Sequence, residues 1–404
     1  MKTIVILGTL DTKGREVEFI KQEIQSWGHK PLVIDTGVVG TPYIKADITR
    51  EEVAARGEVP LSELLVSPER EKSAPVMAKG AKEIVLGLLR EKKIDGIISM
   101  GGTQGTTLST DVMRGLPVGF PKVMVSTMAS GNTAPFVDIK DITMIFSVAD
   151  IMGLNPITKK ILSNAVGAVC GMAESRVRIV IEKPLVGITT VGITTACALK
   201  AQTIFEESGY ETIVFHAVGT GGRAMEDLIK HGHIKAVLDI TPIEVTNEMY
   251  GGLLAANQER LTVAGKFGLP QVLAPGAIAV DVHGTPDTIP ECFKDRLRVR
   301  HSPKITNIRL IKSEQKEVAR EIARRLSHTK EPAVFMIPTK GYDYYSTEGN
   351  CFWEPESDQA FVEELKKELP KNITIVERNT HINDPDFATE MACKLIELIK
   401  QKYG

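Results

Sequence analysis

Ile4-Val5-Ile6-Leu7-Gly8-Thr9-Leu10-Asp11-Thr12-Lys13-Gly14 runs an apolar segment directly into a turn of small and polar residues. An unbroken apolar run of this length suits a β-strand covered on both faces. From Arg15 onward, Glu16, Phe19, Ile20 and Ile24 have helical spacing. The turn therefore joins a buried strand to a helix start, where unpaired N–H groups and the positive dipole end favour an anion. It is not a P-loop, because the glycines before Lys13 do not have the G-x-x-x-x-G-K-[ST] spacing. By itself the turn is equally an ordinary strand-to-helix connection.

The same grammar repeats outward from this turn. Pro31–Asp35 reads as a second strand ending in Asp35-Thr36-Gly37. A helix over Ala78–Arg90 leads to the strand Gly96–Met100 and then Gly101-Gly102-Thr103-Gln104-Gly105-Thr106-Thr107. The strand Lys122–Ser126 ends in Thr127-Met128-Ala129-Ser130-Gly131. Ile142–Phe146 reads as a further strand and Pro156–Glu174 as a long helix. Strands alternating with helices give a parallel sheet covered on both faces. Its ligands bind beyond the carboxyl ends of the strands, so four Gly- and hydroxyl-bearing turns at that edge point to a phosphate-bearing ligand.

A charged stretch from Arg176 to Pro184 separates this half from a second start at Leu185-Val186-Gly187-Ile188-Thr189-Thr190. Strands are expected at Thr212–His216, Ala236–Asp239, Gln271–Ala274 and Ala333–Pro338. The expected architecture is two doubly wound, Rossmann-like α/β domains, residues 1–182 and 183–404, with mostly parallel sheets facing each other across a cleft. A single extended sheet is the alternative. With 404 residues, 43% of them hydrophobic, the chain can bury cores of this size.

A net charge of −2 gives no case for nucleic-acid binding; the run Arg296–His301 reads as a solvated strand edge or an anion contact. Five scattered cysteines form no C-x-x-C pair and are expected to be free thiols. No apolar run reaches membrane-spanning length and the N-terminus lacks signal-peptide character, so a cytoplasmic location is expected.

Several longer segments occur in fixed order: Gly8–Lys13, Ser126–Gly131, Ser147–Asn155, Phe215–Leu228, Leu238–Val245 and His381–Pro385. Together they resemble the ATP-binding domain family of the tomato mosaic virus resistance protein, an inhibitor of viral RNA replication, and its uncharacterised bacterial relatives. The resemblance covers essentially the whole chain. It implies a homodimeric two-domain α/β protein that binds ATP with magnesium through its first domain. Carried over by motif, the contacts are Thr9, Asp11, Thr12 and Lys13 from the opening turn, and Gly102, Thr103, Gly105 and Thr106 from the glycine-rich turn. Ser126, Thr127, Ala129, Ser130 and Gly131 follow from the fourth. Asp35 and Thr36 stand where a second strand meets the ribose. Gln104 takes a place often held by a small residue in the family.

Reactive chemistry is denser in the second half. His216, Arg223, Glu226 and Asp227 flank a Gly-rich turn, and Asp239, Thr241 and Glu244 end the next strand. Arg223 is expected to clamp a carboxylate or phosphate, with Glu244 or His216 as general base. A second small molecule is the expected partner of this cluster. The competing function is a nucleotide-independent enzyme acting on a small phosphorylated or carboxylated metabolite. His283, His301 and His381 lack the spacing of a zinc motif, and no resident metal site is expected from them.

Overall fold

A computed structural model of the chain describes residues 1–66, 70–177 and 182–404. The chain divides into two compact units, Met1–Ile179 and Val180–Gly404. The charged stretch expected between the halves is centred on residues 178–181, which lie outside the described residues.

Unit 1 runs β1 (Thr3–Gly8), α1 (Gly14–Ser26), β2 (Lys30–Asp35), α2 (Arg50–Arg56), α3 (Leu61–Val66), α4 (Arg70–Arg90), β3 (Gly96–Gly101), α5 (Thr103–Arg114), β4 (Lys122–Ser126), α6 (Ala134–Val137), β5 (Thr143–Phe146) and α7 (Pro156–Glu174). Its five strands pair in the order β2-β1-β3-β4-β5, all parallel. Ile4 to Leu7 are fully buried because both faces of the sheet are covered. On one face Ile4, Ile6 and Val33 pack against Val17, Ile20 and Ile24 of α1 and Leu162, Val166 and Val169 of α7. On the other, Val5, Leu7 and Ile97 pack against Val53 of α2, Met77 and Val85 of α4 and Val112 of α5. Alternate residues of one apolar strand thus supply two cores, as period-two geometry requires. Asn155 caps α7 through the N–H groups of Ile157 and Thr158, with Pro156 opening the helix. Helix α4 begins eight residues before the expected Ala78, and the added turns reach the carboxyl edge of the sheet.

Unit 2 continues β6 (Leu185–Thr190), α8 (Thr195–Glu207), β7 (Glu211–His216), α9 (Thr220–Lys230), β8 (Ala236–Asp239), α10 (Ile243–Tyr250), α11 (Val263–Lys266), β9 (Gln271–Leu273), β10 (Val280–His283), β11 (Arg298–Ser302), β12 (Ile305–Arg309), α12 (Lys312–Leu326), β13 (Ala333–Pro338), α13 (Pro355–Glu368), β14 (Ile373–Arg378) and α14 (Pro385–Tyr403). Six parallel strands pair in the order β14-β13-β9-β8-β6-β7. A separate antiparallel sheet, β10-β12-β11, was not foreseen from the sequence. The basic run falls on its edge strand β11, with Arg298, Arg300 and His301 exposed.

Candidate functional site

In unit 1 the strand order reverses at β1: β2 lies on one side of it and β3 on the other. Open α/β sheets bind ligands in the crevice beyond this reversal. A pocket of about 880 Å³ lies there, within the size range of small-molecule and cofactor sites. Four chain segments build its polar end: the turn after β1 (Thr9, Asp11, Thr12, Lys13), the start of α5 (Gly102, Thr103, Gln104, Gly105), Thr36 after β2, and Asp150 after β5. Elsewhere the lining is mainly apolar, with Ala74 and Met77 of α4, Leu108 of α5 and Met100 of β3, and includes the small hydroxyl residues Ser73 and Ser109.

Local chemistry shapes each wall. In the opening turn the Thr9 carbonyl accepts from the N–H groups of Thr12 (3.2 Å) and Lys13 (2.8 Å). The Thr9 and Thr12 hydroxyls meet at 2.8 Å. Asp11 accepts through one oxygen from the N–H groups of Val39 (2.8 Å) and Gly40 (3.2 Å), drawing the segment after β2 over the pocket. A Cβ at Gly37 would come within 2.7 Å of the Asp11 carboxyl carbon, so only glycine fits beneath it. The Lys13 ammonium donates to the Ile151 carbonyl. Buried Glu16 accepts from the Gly153 N–H at 2.7 Å. These two bonds from the start of α1 hold the segment that carries Asp150 against the pocket.

Helix α5 opens at Gly102 with no side-chain cap. Its first intrahelical bond runs from the Thr106 N–H to the Gly102 carbonyl at 2.8 Å. The first-turn N–H groups before it have no intrahelical acceptor, and Thr103, Gln104 and Gly105 border the pocket.

The structure thus brings Thr9, Asp11, Thr12, Lys13, Thr36, Gly102, Thr103 and Gly105 together around one space. Three other expected contacts face inward instead. Asp35 is 1% exposed and spends one oxygen on the N–H groups of Leu10 (3.1 Å) and Gly37 (2.8 Å), so it braces the two turns and does not reach a ribose. Burial raises its pKa, and those two N–H groups oppose the rise. Thr106 and Ser126 are fully buried and bonded to each other at 2.6 Å, and Ser126 also caps the Met128 N–H at 2.9 Å. Thr127, Ala129, Ser130 and Gly131 form the turn after β4 and do not line the pocket.

The second-half cluster is a buried ion network. Arg260 is fully buried and donates to Glu244 at 2.6 Å through Nε and to Asp239 at 2.8 Å through Nη2, with a further bond from Nη1. Glu244, also fully buried, accepts from the N–H groups of Gly219 (2.7 Å) and Gly222 (3.0 Å). It was expected as a general base; in the structure it is fully buried and anchors the turn that starts α9. Buried Glu226 accepts from the Leu261 N–H at 2.7 Å, and desolvation pushes its pKa up to about 8. His216 is exposed and Arg223 partly so, outside this buried network. Arg260 was missed because it lies outside regular structure; the signal was one arginine heading the otherwise weakly polar run Arg260-Leu261-Thr262-Val263-Ala264. His283 pairs with Asp281 at 2.6 Å and His301 with the Tyr345 hydroxyl at 3.0 Å. Among the described residues no group of three or more His, Cys, Asp and Glu is placed to hold a metal ion.

Residues 2–178 match the N-terminal domain of an uncharacterised protein family (UPF0261), and residues 183–399 match its C-terminal domain. A UPF0261 protein of Clostridium tetani is 45% identical over 99% of this chain and 100% of its own length. The tomato ToMV susceptible protein tm-1(GCR26) is 31% identical over 98% of this chain, which spans 55% of the tomato protein. The structure of UDP-N-acetylglucosamine 2-epimerase from Rickettsia bellii aligns over 100% of this chain and 97% of its own at 12% identity and a TM-score of 0.24. The chain belongs to the UPF0261 family.

Proposed function

We propose that this member of the UPF0261 family binds ATP with magnesium in the pocket of unit 1. One observation carries the reading: an uncapped helix start, a lysine and two threonine hydroxyls line the polar end of one space of about 880 Å³ at the strand-order reversal, while the rest of its lining is mainly apolar. The polar end has the donors a polyphosphate needs. First-turn N–H groups of α5 and the dipole behind them attract the anion, and Lys13 adds a point charge. The Thr9 and Thr12 hydroxyls donate to phosphate oxygens once they turn from each other. The mainly apolar lining, with two methionines, suits a flat base.

Magnesium takes oxygen ligands, is bound through one or two carboxylates plus substrate phosphates, and keeps several waters. Asp150 and Asp11 are the carboxylates that border the pocket and would hold it. Bound there, the ion would neutralise phosphate charge. Lys13 then exchanges its bond to the Ile151 carbonyl for one to phosphate.

Isothermal titration with ATP and magnesium tests the reading. One saturable site per chain is the expected result. No heat, and no rise in melting temperature at millimolar ATP and magnesium, would contradict it, because a ligand that binds only the folded state must stabilise it.

A further inference from the structure

Behind the pocket-lining residue Ser109, three buried atoms fix the direction of a hydrogen bond. Ser99 of β3 is fully buried, and its hydroxyl donates to the Leu7 carbonyl at 2.7 Å. The same oxygen lies 2.7 Å from the Ser109 hydroxyl of α5. A serine hydroxyl has one proton, and that of Ser99 is already committed. The proton between the two serines therefore belongs to Ser109, which donates it to Ser99. Thr110, one residue on, shows the ordinary alternative for a helical hydroxyl, donating to the Thr106 carbonyl at 2.8 Å. Ser109 is 3% exposed, and it borders the pocket. With its proton spent on Ser99, it offers the pocket lone pairs alone.

Resting on the reading of the pocket as a nucleotide site, we propose that Ser109 selects the base: it is an obligate hydrogen-bond acceptor that takes an amino-bearing nucleobase and turns away one presenting a carbonyl at the same place. Ser109 stands six residues beyond Thr103, about 9 Å along the axis of α5. A nucleoside polyphosphate spans that interval, with phosphates at the helix start and its base between Met77 and Leu108; inorganic phosphate does not. Adenine brings an N–H₂ donor to the acceptor. Hypoxanthine brings an oxygen, which leaves two acceptors facing each other in a desolvated site, and unpaired buried polar groups are what make such sites discriminate. Ser99 is a positioning residue: it acts by fixing the direction in which Ser109 donates.

The test compares ATP with ITP, both with magnesium, by isothermal titration on the wild-type chain, Ser109→Ala and Ser99→Ala. Wild type is expected to prefer ATP by about tenfold or more. Ser109→Ala loses most of that preference, and Ser99→Ala gains affinity for ITP because Ser109 is then free to donate. A loss of packing alone would weaken both triphosphates equally and leave their ratio unchanged. Equal affinities in wild type overturn the assignment of Ser109 while leaving the nucleotide reading standing, and this holds even if a variant fails to fold. Binding of neither triphosphate overturns both.

Discussion

The two parallel sheets place their leading strands in the same order, β2-β1-β3 in unit 1 and β7-β6-β8 in unit 2, yet the reversal points hold opposite contents. In unit 1 the turns after β1 and β3 border an open pocket. In unit 2 the corresponding turns close on each other: Thr194 and Thr241, both fully buried, share a bond at 2.8 Å, and Thr189 donates to Asp239 at 2.7 Å. Arg260 then neutralises Asp239. Threonines and aspartates at strand ends are common to both units; what differs is whether the chain supplies its own cation. Arg260 occupies the carboxylates at the unit 2 strand ends, whereas Lys13 donates only to a backbone carbonyl beside the unit 1 pocket.

Removing the internal cation should break the comparison most severely. Arg260→Ala leaves two buried carboxylates, Asp239 and Glu244, without their counter-charge. A broken buried ion pair of this kind costs about 3–5 kcal/mol, so urea denaturation should show unit 2 unfolding at much lower denaturant. An unchanged midpoint would mean that the network is not what closes this crevice.

A smaller effect concerns the proton held by the same network. The folded chain keeps the Glu226 carboxyl protonated up to about pH 8, whereas the ordinary value is 4.5. Between those values the folded state binds a proton that the unfolded chain has released, so stability is full below about pH 4.5, declines as pH rises and levels off above about 8. The groups facing Glu226 are Arg260, which opposes the shift, and Asp239 and Glu244, which add to it. Glu226→Gln should flatten the decline, which amounts to about 2–3 kcal/mol between about pH 5 and pH 7. Parallel stability-pH curves for the two proteins would contradict the assignment.

Lys13→Met should sharpen the comparison with the least structural disturbance. Lys13 is partly exposed, and its ammonium donates to the Ile151 carbonyl. Stability should move by less than about 1 kcal/mol, while ATP affinity falls about ten- to hundredfold with the loss of a charged hydrogen bond. Undiminished affinity would place the phosphates elsewhere.

The parallel architecture was legible from residues because β1, β2, β3, β4, β6 and β13 are short, largely apolar runs closed by glycine or threonine, and Lys122–Ser126, Pro156–Glu174 and Ala236–Asp239 have the bounds expected of them. The polar end of the pocket was legible for the same reason, since strand-end turns on neighbouring strands must meet. Burial was not legible. Asp35, Thr106, Ser126 and Glu244 carry the same side chains as exposed ligand contacts, and only the packing shows that each spends its polar atoms internally. The apolar lining of the pocket was missed because α4 contributes Ala74 and Met77 from turns that precede the expected helix start. The antiparallel sheet was missed because β10 alternates over only four residues, Val280–His283, and β11 is largely exposed.

Hydrogen exchange with and without ATP and magnesium, read peptide by peptide, tests the central contrast most directly. Slowed exchange at the turn after β1, residues 9–13, and at the start of α5, residues 102–105, with no change at residues 190–195 and 240–245, is the predicted result. Protection confined to the unit 2 turns, or no protection at saturating nucleotide, would contradict it.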